Sequence, residues 1–167
     1  MTTIAQIAKF GTIRVSIPTS HGLAEVVGEV ISDWAFLSAV HSGKPAPGPA
    51  PLDLEFSVSL RGPLSSLLVL RADKAFGAEL AHASTGDPGA REQAADAFRE
   101  LCNMVASHLL TNFFGGREMI YDPFVPVPSL PERWPDREPT VECVMLVEHF
   151  PVEARLWIDA RAELSHE

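Results

Sequence analysis

The sequence has few cysteines and no cysteine pattern. It contains two, Cys102 and Cys143, which lie inside apolar runs and are not in Cys-x-x-Cys spacing. Small disulfide-stabilised domains and structural zinc sites both depend on closely spaced cysteines. The scarcity therefore argues against either framework, and the sequence predicts two buried free thiols.

Long hydrophobic runs and basic clusters are also missing. No apolar stretch approaches the roughly 20 residues of a membrane-spanning helix, and the N-terminus lacks the charged start, apolar core and cleavage site of a signal peptide. Thirteen basic residues stand against twenty-two acidic ones, for a net charge of -9. Without a Lys/Arg cluster, nucleic-acid binding is not indicated. We expect a cytoplasmic protein that contacts neither membranes nor nucleic acid.

What the chain does contain is enough apolar material for one core. Hydrophobic residues make up 46% of its 167 positions. That supports one substantial core and is little for two. We predict a single domain over residues 1–167.

Turn signals divide the chain into alternating helical and extended patterns. A strand is predicted over 12–18, followed by a helix over 22–40 capped by Thr19 or Ser20. Two strands at 52–61 and 65–71 form a predicted hairpin. A short helix over 72–83 precedes a long one that begins after Asp87 and Pro88 and ends near Phe114, before two glycines. A closing hairpin is predicted over 141–148 and 152–159.

This order predicts an α+β fold in which two long helices cover an antiparallel sheet. The proline-rich stretches 44–51 and 123–139 are typical of irregular connectors. The strand at 141–148 could lie at a sheet edge and pair across a two-fold axis, so a homodimer is a hypothesis of this sequence.

The long helix near residue 100 has two distinct faces. At about 100° per residue, six apolar positions share one stripe that predicts its core face. Four polar positions fall opposite, at spacings of four, three and four residues, and predict an exposed ridge. His108 lies near the edge of the apolar stripe and is interpreted as a structural residue. The stripe comprises Ala94, Phe98, Leu101, Cys102, Val105 and Leu109, and the ridge Asp96, Glu100, Asn103 and Ser107.

Taken alone, the E-x-x-N spacing of Glu100 and Asn103 is a weak signal. Every surface helix has a polar face, and such a pair occurs often by chance. Asparagine is nevertheless a poor helix former, because its amide competes for backbone hydrogen bonds. Its position in mid-helix mildly favours a role for Asn103.

The pattern as a whole resembles the CheX-like and CheC-like chemotaxis phosphatases. Those proteins carry an acidic or Ser position, then E-x-x-N, then a proline after 22 intervening residues. Here the string Asp96-Ala-Phe-Arg-Glu100-Leu-Cys-Asn103 is followed at that distance by Pro126. The resemblance is clearest over 52–159. The first long helix has only Glu-Val-Ile-Ser at 29–32, without the Asn of a second site, so the implied type is the single-site, CheX-like one.

The resemblance implies a phosphatase that hydrolyses the aspartyl phosphate of a CheY-like response regulator in chemotaxis or two-component signalling. It implies that Asn103 positions the water and that Glu100 pairs with a lysine of the regulator. Asp96, Ser107 and Pro126 are candidate binding residues, although for Asp96 simple solvation of the helix is the favoured interpretation. Mg²⁺ is expected on the regulator, and no metal or cofactor on this chain.

A different class of function stays open. The same fold could serve as a non-catalytic adaptor or sensor module that binds a signalling protein. Other chemistries find no support, because the six histidines show no zinc spacing and no nucleotide-binding or Ser-nucleophile motif is present.

Overall fold

Seven strands, three α-helices and one 3₁₀ segment make up the described part of the chain. The computed structural model describes residues 6–10, 13–41, 52–60, 65–114 and 138–159. The strands are β1 (Gln6–Phe10), β2 (Ile13–Ile17), β3 (Ala39–His41), β4 (Leu54–Leu60), β5 (Ser65–Ala72), β6 (Val141–Val147) and β7 (Phe150–Asp159). The helices are α1 (Ser20–Ala35), α2 (Lys74–Thr85) and α3 (Ala94–Phe113), and the 3₁₀ segment is Pro88–Gln93.

Five of these strands form one antiparallel sheet in the order β3-β6-β7-β5-β4. Strands β1 and β2 pair separately as an antiparallel hairpin. The predicted hairpins β4–β5 and β6–β7 are both present, and β5 joins them by pairing with β7. The prediction of an α+β fold with an antiparallel sheet is therefore confirmed.

The helices pack on the sheet and on each other around one core. Helix α1 contacts β6 and β3, whereas α3 contacts β4 and β5 and lies against both α1 and α2. Alternating sheet residues supply one side of the core, as Leu68 faces Leu156 and Leu70 faces Ala154 across the β5–β7 pair. Two helices, α1 and α3, are long as predicted, and the shorter α2 is a third member of the layer.

Helix α3 starts where the sequence indicated, with a change of helix type. Asp87 is the N-cap of the preceding segment, and its Oδ1 accepts a hydrogen bond of 2.8 Å from the Gly89 amide. Pro88 occupies the first turn, as its fixed φ favours. The first six residues are 3₁₀, and α-helical geometry begins only at Ala94. The predicted glycine stop at 115–116 lies outside the described residues.

The prediction for the first helix was right at its start and wrong at its end. Thr19 is the N-cap, and its hydroxyl accepts a 3.0 Å hydrogen bond from the Gly22 amide. The helix ends at Ala35, because Phe36 adopts the left-handed conformation with φ of 58°. Val40, the predicted last helical residue, lies instead in β3 and pairs with Leu146 of β6.

Two further features of the fold differ from the prediction, one element boundary and one position in the sheet. Ala72 closes β5 and does not open a helix, because Asp73 caps α2 by accepting a hydrogen bond of 2.7 Å from the Ala75 amide. Strand β6 lies inside the sheet between β3 and β7. The prediction that this strand lies at a sheet edge is therefore wrong, and the homodimer hypothesis loses the observation on which it depended. The proline-rich connector at 44–51 lies outside the described residues.

Gly77 of α2 is a position where a side chain has no room. A methyl group there would lie 2.5 Å from Leu54 Cδ1 and 3.0 Å from the carbonyl oxygen of Ala94. We expect Gly77→Ala to destabilise the protein by about 1–3 kcal/mol, because overpacking outweighs the gain in helix propensity. Thermal unfolding should show a lower Tm.

Gly28 of α1 is the matched control for Gly77. A methyl group at Gly28 would meet Ala39 Cβ at 3.4 Å, an ordinary contact. Gly28→Ala should therefore raise the free energy of unfolding by up to about 1 kcal/mol. Equal Tm changes for the two variants would contradict the close approach of α2 to α3.

Candidate functional site

The predicted ridge lies on a well-anchored helix. Glu100 and Ser107 are exposed, and Asn103 is partly buried at the flank of the ridge. All six predicted core-face residues of α3 are buried, and Ala106 and Leu110 join them. A helix held by this many buried side chains keeps its outer groups at fixed spacing.

Glu100 and Asn103 lie together in a shallow depression. Its volume is about 290 Å³, and all its lining residues belong to α3. A separation of three residues places the two side chains on adjacent turns, about 4.5 Å apart along the helix axis. The lining residues are Glu100, Asn103, Met104, Ser107 and His108.

The polar groups in this depression have no partners within the described part of the chain. Glu100 makes no ion pair or hydrogen bond there, and neither does the side chain of Asn103. Asp96, by contrast, is held by Arg99, whose Nη2 lies 2.6 Å from its Oδ1. The structure therefore separates Asp96, which is already paired, from Glu100 and Asn103, whose side chains have no partner among the described residues.

The amide of Asn103 is in an unfavourable state. Its Oδ1 is buried and has no hydrogen-bond partner among the described residues. A buried polar atom without a partner costs about 1–3 kcal/mol, and exchanging the amide oxygen and nitrogen would only bury donors in its place. Four other buried polar atoms of the described residues share this state, on Glu55, Ser66, Arg71 and His82, so it does not by itself mark a functional position.

Replacing this amide should stabilise the isolated protein. Asn103→Ala removes the unpartnered oxygen and introduces a better helix former, so we expect a gain of about 1–2 kcal/mol in the free energy of unfolding. Asn112→Ala, at an exposed position of the same helix, should gain only the propensity difference of about 0.5 kcal/mol. Denaturant unfolding measures both. An equal gain would show that the amide of Asn103 carries no burial cost.

Cys102, on the core face of α3, does not contribute a nucleophile. Burial raises the pKa of the Cys102 thiol to about 12. The thiol donates a weak hydrogen bond to the Phe56 carbonyl at 3.7 Å. Cys143 is also buried, and burial likewise raises its pKa to about 12. Both free thiols are buried as predicted, and neither forms the thiolate that nucleophilic attack requires.

Among the described residues, the carboxylate with a clearly shifted pKa is Glu55, which lies outside the depression. Burial raises the pKa of Glu55 on β4, against the opposing effect of Arg71 and Arg155. Arg71 lies 3.0 Å from Glu55 and 3.2 Å from Glu153, so these groups form an ion-pair ladder across β4, β5 and β7. Such networks also perturb pKa values without any catalytic role. We interpret this ladder as structural.

Helix α1 lines a second depression that lacks an amide. Its volume is about 510 Å³, and Glu29 and Ser32 line it together with Gly28, His21 and His41. A serine hydroxyl is shorter than an asparagine amide and offers only one donor. This agrees with the sequence prediction that α1 does not carry a second E-x-x-N site. Within the described ranges, no group of three or more His, Cys, Asp or Glu side chains could hold a metal ion.

The predicted site residues thus have different outcomes. Glu100, Asn103 and Ser107 share one depression, Asp96 lies outside its lining, and Pro126 falls in a part of the chain that the structure does not describe. The prediction for His108 was wrong, because its side chain is exposed and lines the depression. Met104 was also missed, since the projection places both between the ridge and the core stripe.

Neither a protein-family model nor a curated protein matches the chain. Solved structures do, at low sequence identity. A CheX from Desulfovibrio desulfuricans is 14% identical, with a TM-score of 0.61 over 82% of this chain and 96% of that one. A CheX from Vibrio vulnificus is also 14% identical, with a TM-score of 0.59 over the same shares. No described helix has the length and apolar character needed to cross a membrane.

A third similar structure contains a partner. It is the CheX-CheY-BeF3-Mg²⁺ complex from Borrelia burgdorferi, 14% identical, with a TM-score of 0.58 over 81% of this chain and 94% of the matched one. These likenesses show that the chain has the CheX-like fold. The resemblance inferred from the helix motif is therefore confirmed at the level of fold.

Proposed function

We propose that this protein hydrolyses the aspartyl phosphate of a CheY-like response regulator, in chemotaxis or a related two-component pathway of the cytoplasm. The observation that carries the proposal is that Glu100 and Asn103 lie in one depression without partners among the described residues. They do so on a rigid helix of a CheX-like fold. Two further depressions, one lined by α1 and one lined by residues 17–20 and 140–142, have no asparagine or glutamine in their lining.

The chemistry needs little from this chain. An aspartyl phosphate is already activated, so its hydrolysis requires mainly a water held in line with the leaving oxygen and compensation of charge. An amide can accept a hydrogen bond from that water and donate another, as a water-positioning Gln does in GTPases. Asn103 is the amide in the depression, and because its Oδ1 is buried, its side chain would have to rotate on docking to make those bonds.

Glu100 would hold the regulator in place. A free carboxylate one turn from the amide can form a charge-assisted hydrogen bond to a lysine beside the phosphorylation site. The rigid spacing of the two groups then positions the amide at the phosphoryl group. Ser107 and Pro126 would contact the regulator around Glu100 and Asn103. Asp96 would contribute mainly through its ion pair with Arg99.

Magnesium belongs to the partner in this proposal. The regulator's acidic pocket would supply the Mg²⁺ ligands, and the metal would neutralise charge on the phosphoryl oxygens. The neighbouring complex from Borrelia burgdorferi contains Mg²⁺ and BeF3 together with CheX and CheY. We assign no metal or cofactor of its own to this chain.

Phosphate lifetime on a charged regulator tests the proposal. Each receiver protein of the source organism is phosphorylated with a small-molecule phosphodonor, and its decay is followed with and without this protein. We expect decay of at least one receiver to accelerate. Binding to a BeF3-loaded receiver without acceleration would instead support the adaptor function. If the protein binds no receiver and accelerates the decay of none, both functions are refuted.

A further inference from the structure

We propose that His108 is a determinant of regulator binding, and that it recognises a carboxylate of the docked regulator beside the phosphorylation site. The inference rests on the proposed function and deepens it. Under this proposal, the surface of the regulator carries a cation opposite Glu100 and an anion opposite His108.

The first support is the position of His108. Its side chain is exposed and lines the same depression as Glu100 and Asn103. It makes no hydrogen bond or ion pair within the described part of the chain. An exposed imidazole that no other described residue holds is available to a docking partner.

The second support is charge. The lining of the depression contains two ionisable side chains, Glu100 and His108, and no charged group from α1, α2 or the sheet lines it among the described residues. His108 is therefore the group in this depression that can carry a positive charge. The protein has a net charge of -9, and it would have to approach a regulator whose phosphorylation pocket is acidic. A local cation or hydrogen-bond donor on the docking face lowers that repulsion.

The third support is distance, which assigns His108 to binding and not to chemistry. Five residues separate it from Asn103, or about 7.5 Å along the helix axis, and eight separate it from Glu100, or about 12 Å. Asn103 holds the reacting water in the proposed mechanism. The imidazole therefore contacts the regulator's surface next to the reacting group, and its loss should raise KM without lowering kcat.

A charge series at position 108 tests this. The dissociation constant for a BeF3- and Mg²⁺-loaded receiver, and KM and kcat for its phosphorylated form, are measured for His108→Lys, His108→Gln and His108→Glu. We expect affinity close to wild type for Lys, about 3- to 10-fold weaker for Gln and more than 10-fold weaker for Glu. The value of kcat should stay within about 2-fold in all three.

The matched control is His149, an exposed residue of the β6–β7 turn outside the depression. His149→Glu changes the net charge of the protein as His108→Glu does, and it should leave affinity within about 2-fold. If the three variants at position 108 bind the receiver as tightly as wild type, the inference is overturned. Acceleration of phosphate release by the wild-type protein would still support the proposed phosphatase. Equal losses at 108 and 149 would overturn it too, since they would report net charge alone. If wild type binds no receiver, the inference fails together with the proposed function.

Discussion

Asn103→Ala should reduce the acceleration of phosphate release to the spontaneous rate. The amide can both accept from and donate to the attacking water, and a methyl group can do neither. Losing one positioned hydrogen-bonding group at a reaction centre costs on the order of 10²-fold or more in rate. The measurement is the lifetime of a phosphorylated receiver at saturating enzyme, so that a change in affinity does not contribute.

Asn112→Ala is the control for this variant. It makes the same substitution on the same helix, at an exposed position outside the depression, and should keep wild-type activity. The combination expected of Asn103→Ala is higher stability with no activity, which distinguishes a functional amide from a structural one. Retained acceleration in a folded Asn103→Ala protein would remove the proposed role of this residue and, with it, the proposed mechanism.

The parts of the fold that were predicted well are those where local pattern and packing agree. In α3 the apolar stripe has a 3.6-residue period over about four turns, and every residue assigned to it is buried. Thr19 and Asp87 were recognisable as caps because a hydroxyl or carboxylate just before a helix satisfies its free amides. The motif pair Glu100 and Asn103 could be placed for the same reason, since its orientation follows from the stripe.

The parts that were missed depend on tertiary context. Phe36 ends α1 in a left-handed conformation that glycine or asparagine would normally signal, and the residue is 85% exposed. The short strand β3 has only three residues and exists through its pairing with β6. No local signal indicates such a strand, so β6 looked like an edge. The burial of Asn103 Oδ1 is likewise a property of the packed structure and is invisible in sequence.

His108 shows how a small angular difference changes an interpretation. A helical projection placed it at the border of the core stripe, and border residues are assigned to the core or to solvent according to how far neighbouring elements extend. The structure leaves that side of α3 uncovered among the described residues, so His108 and Met104 line the depression. The depression therefore extends beyond the four-residue ridge that the sequence indicated.

Reversing the charge of Glu100 should abolish productive docking. In the proposed complex this carboxylate faces a lysine, and Glu100→Lys would oppose two cations at the centre of the interface, where like charges cost several kcal/mol. We expect KM to rise on the order of 10²-fold, whereas Glu100→Gln, which keeps a hydrogen-bond acceptor, should raise it about 10-fold. Steady-state kinetics across regulator concentrations separate KM from kcat.

The control for this reversal is Glu92→Lys, an equal change in net charge at an exposed residue of the 3₁₀ segment before α3. Long-range attraction or repulsion should affect both variants and weaken with added salt, whereas the contact loss at Glu100 should persist at high ionic strength. Suppose instead that the two variants behave alike at every salt concentration. Then Glu100 would contribute only to the overall field of an acidic protein, and the anchor that is proposed to bring Asn103 to the phosphoryl group would have to be sought elsewhere on α3.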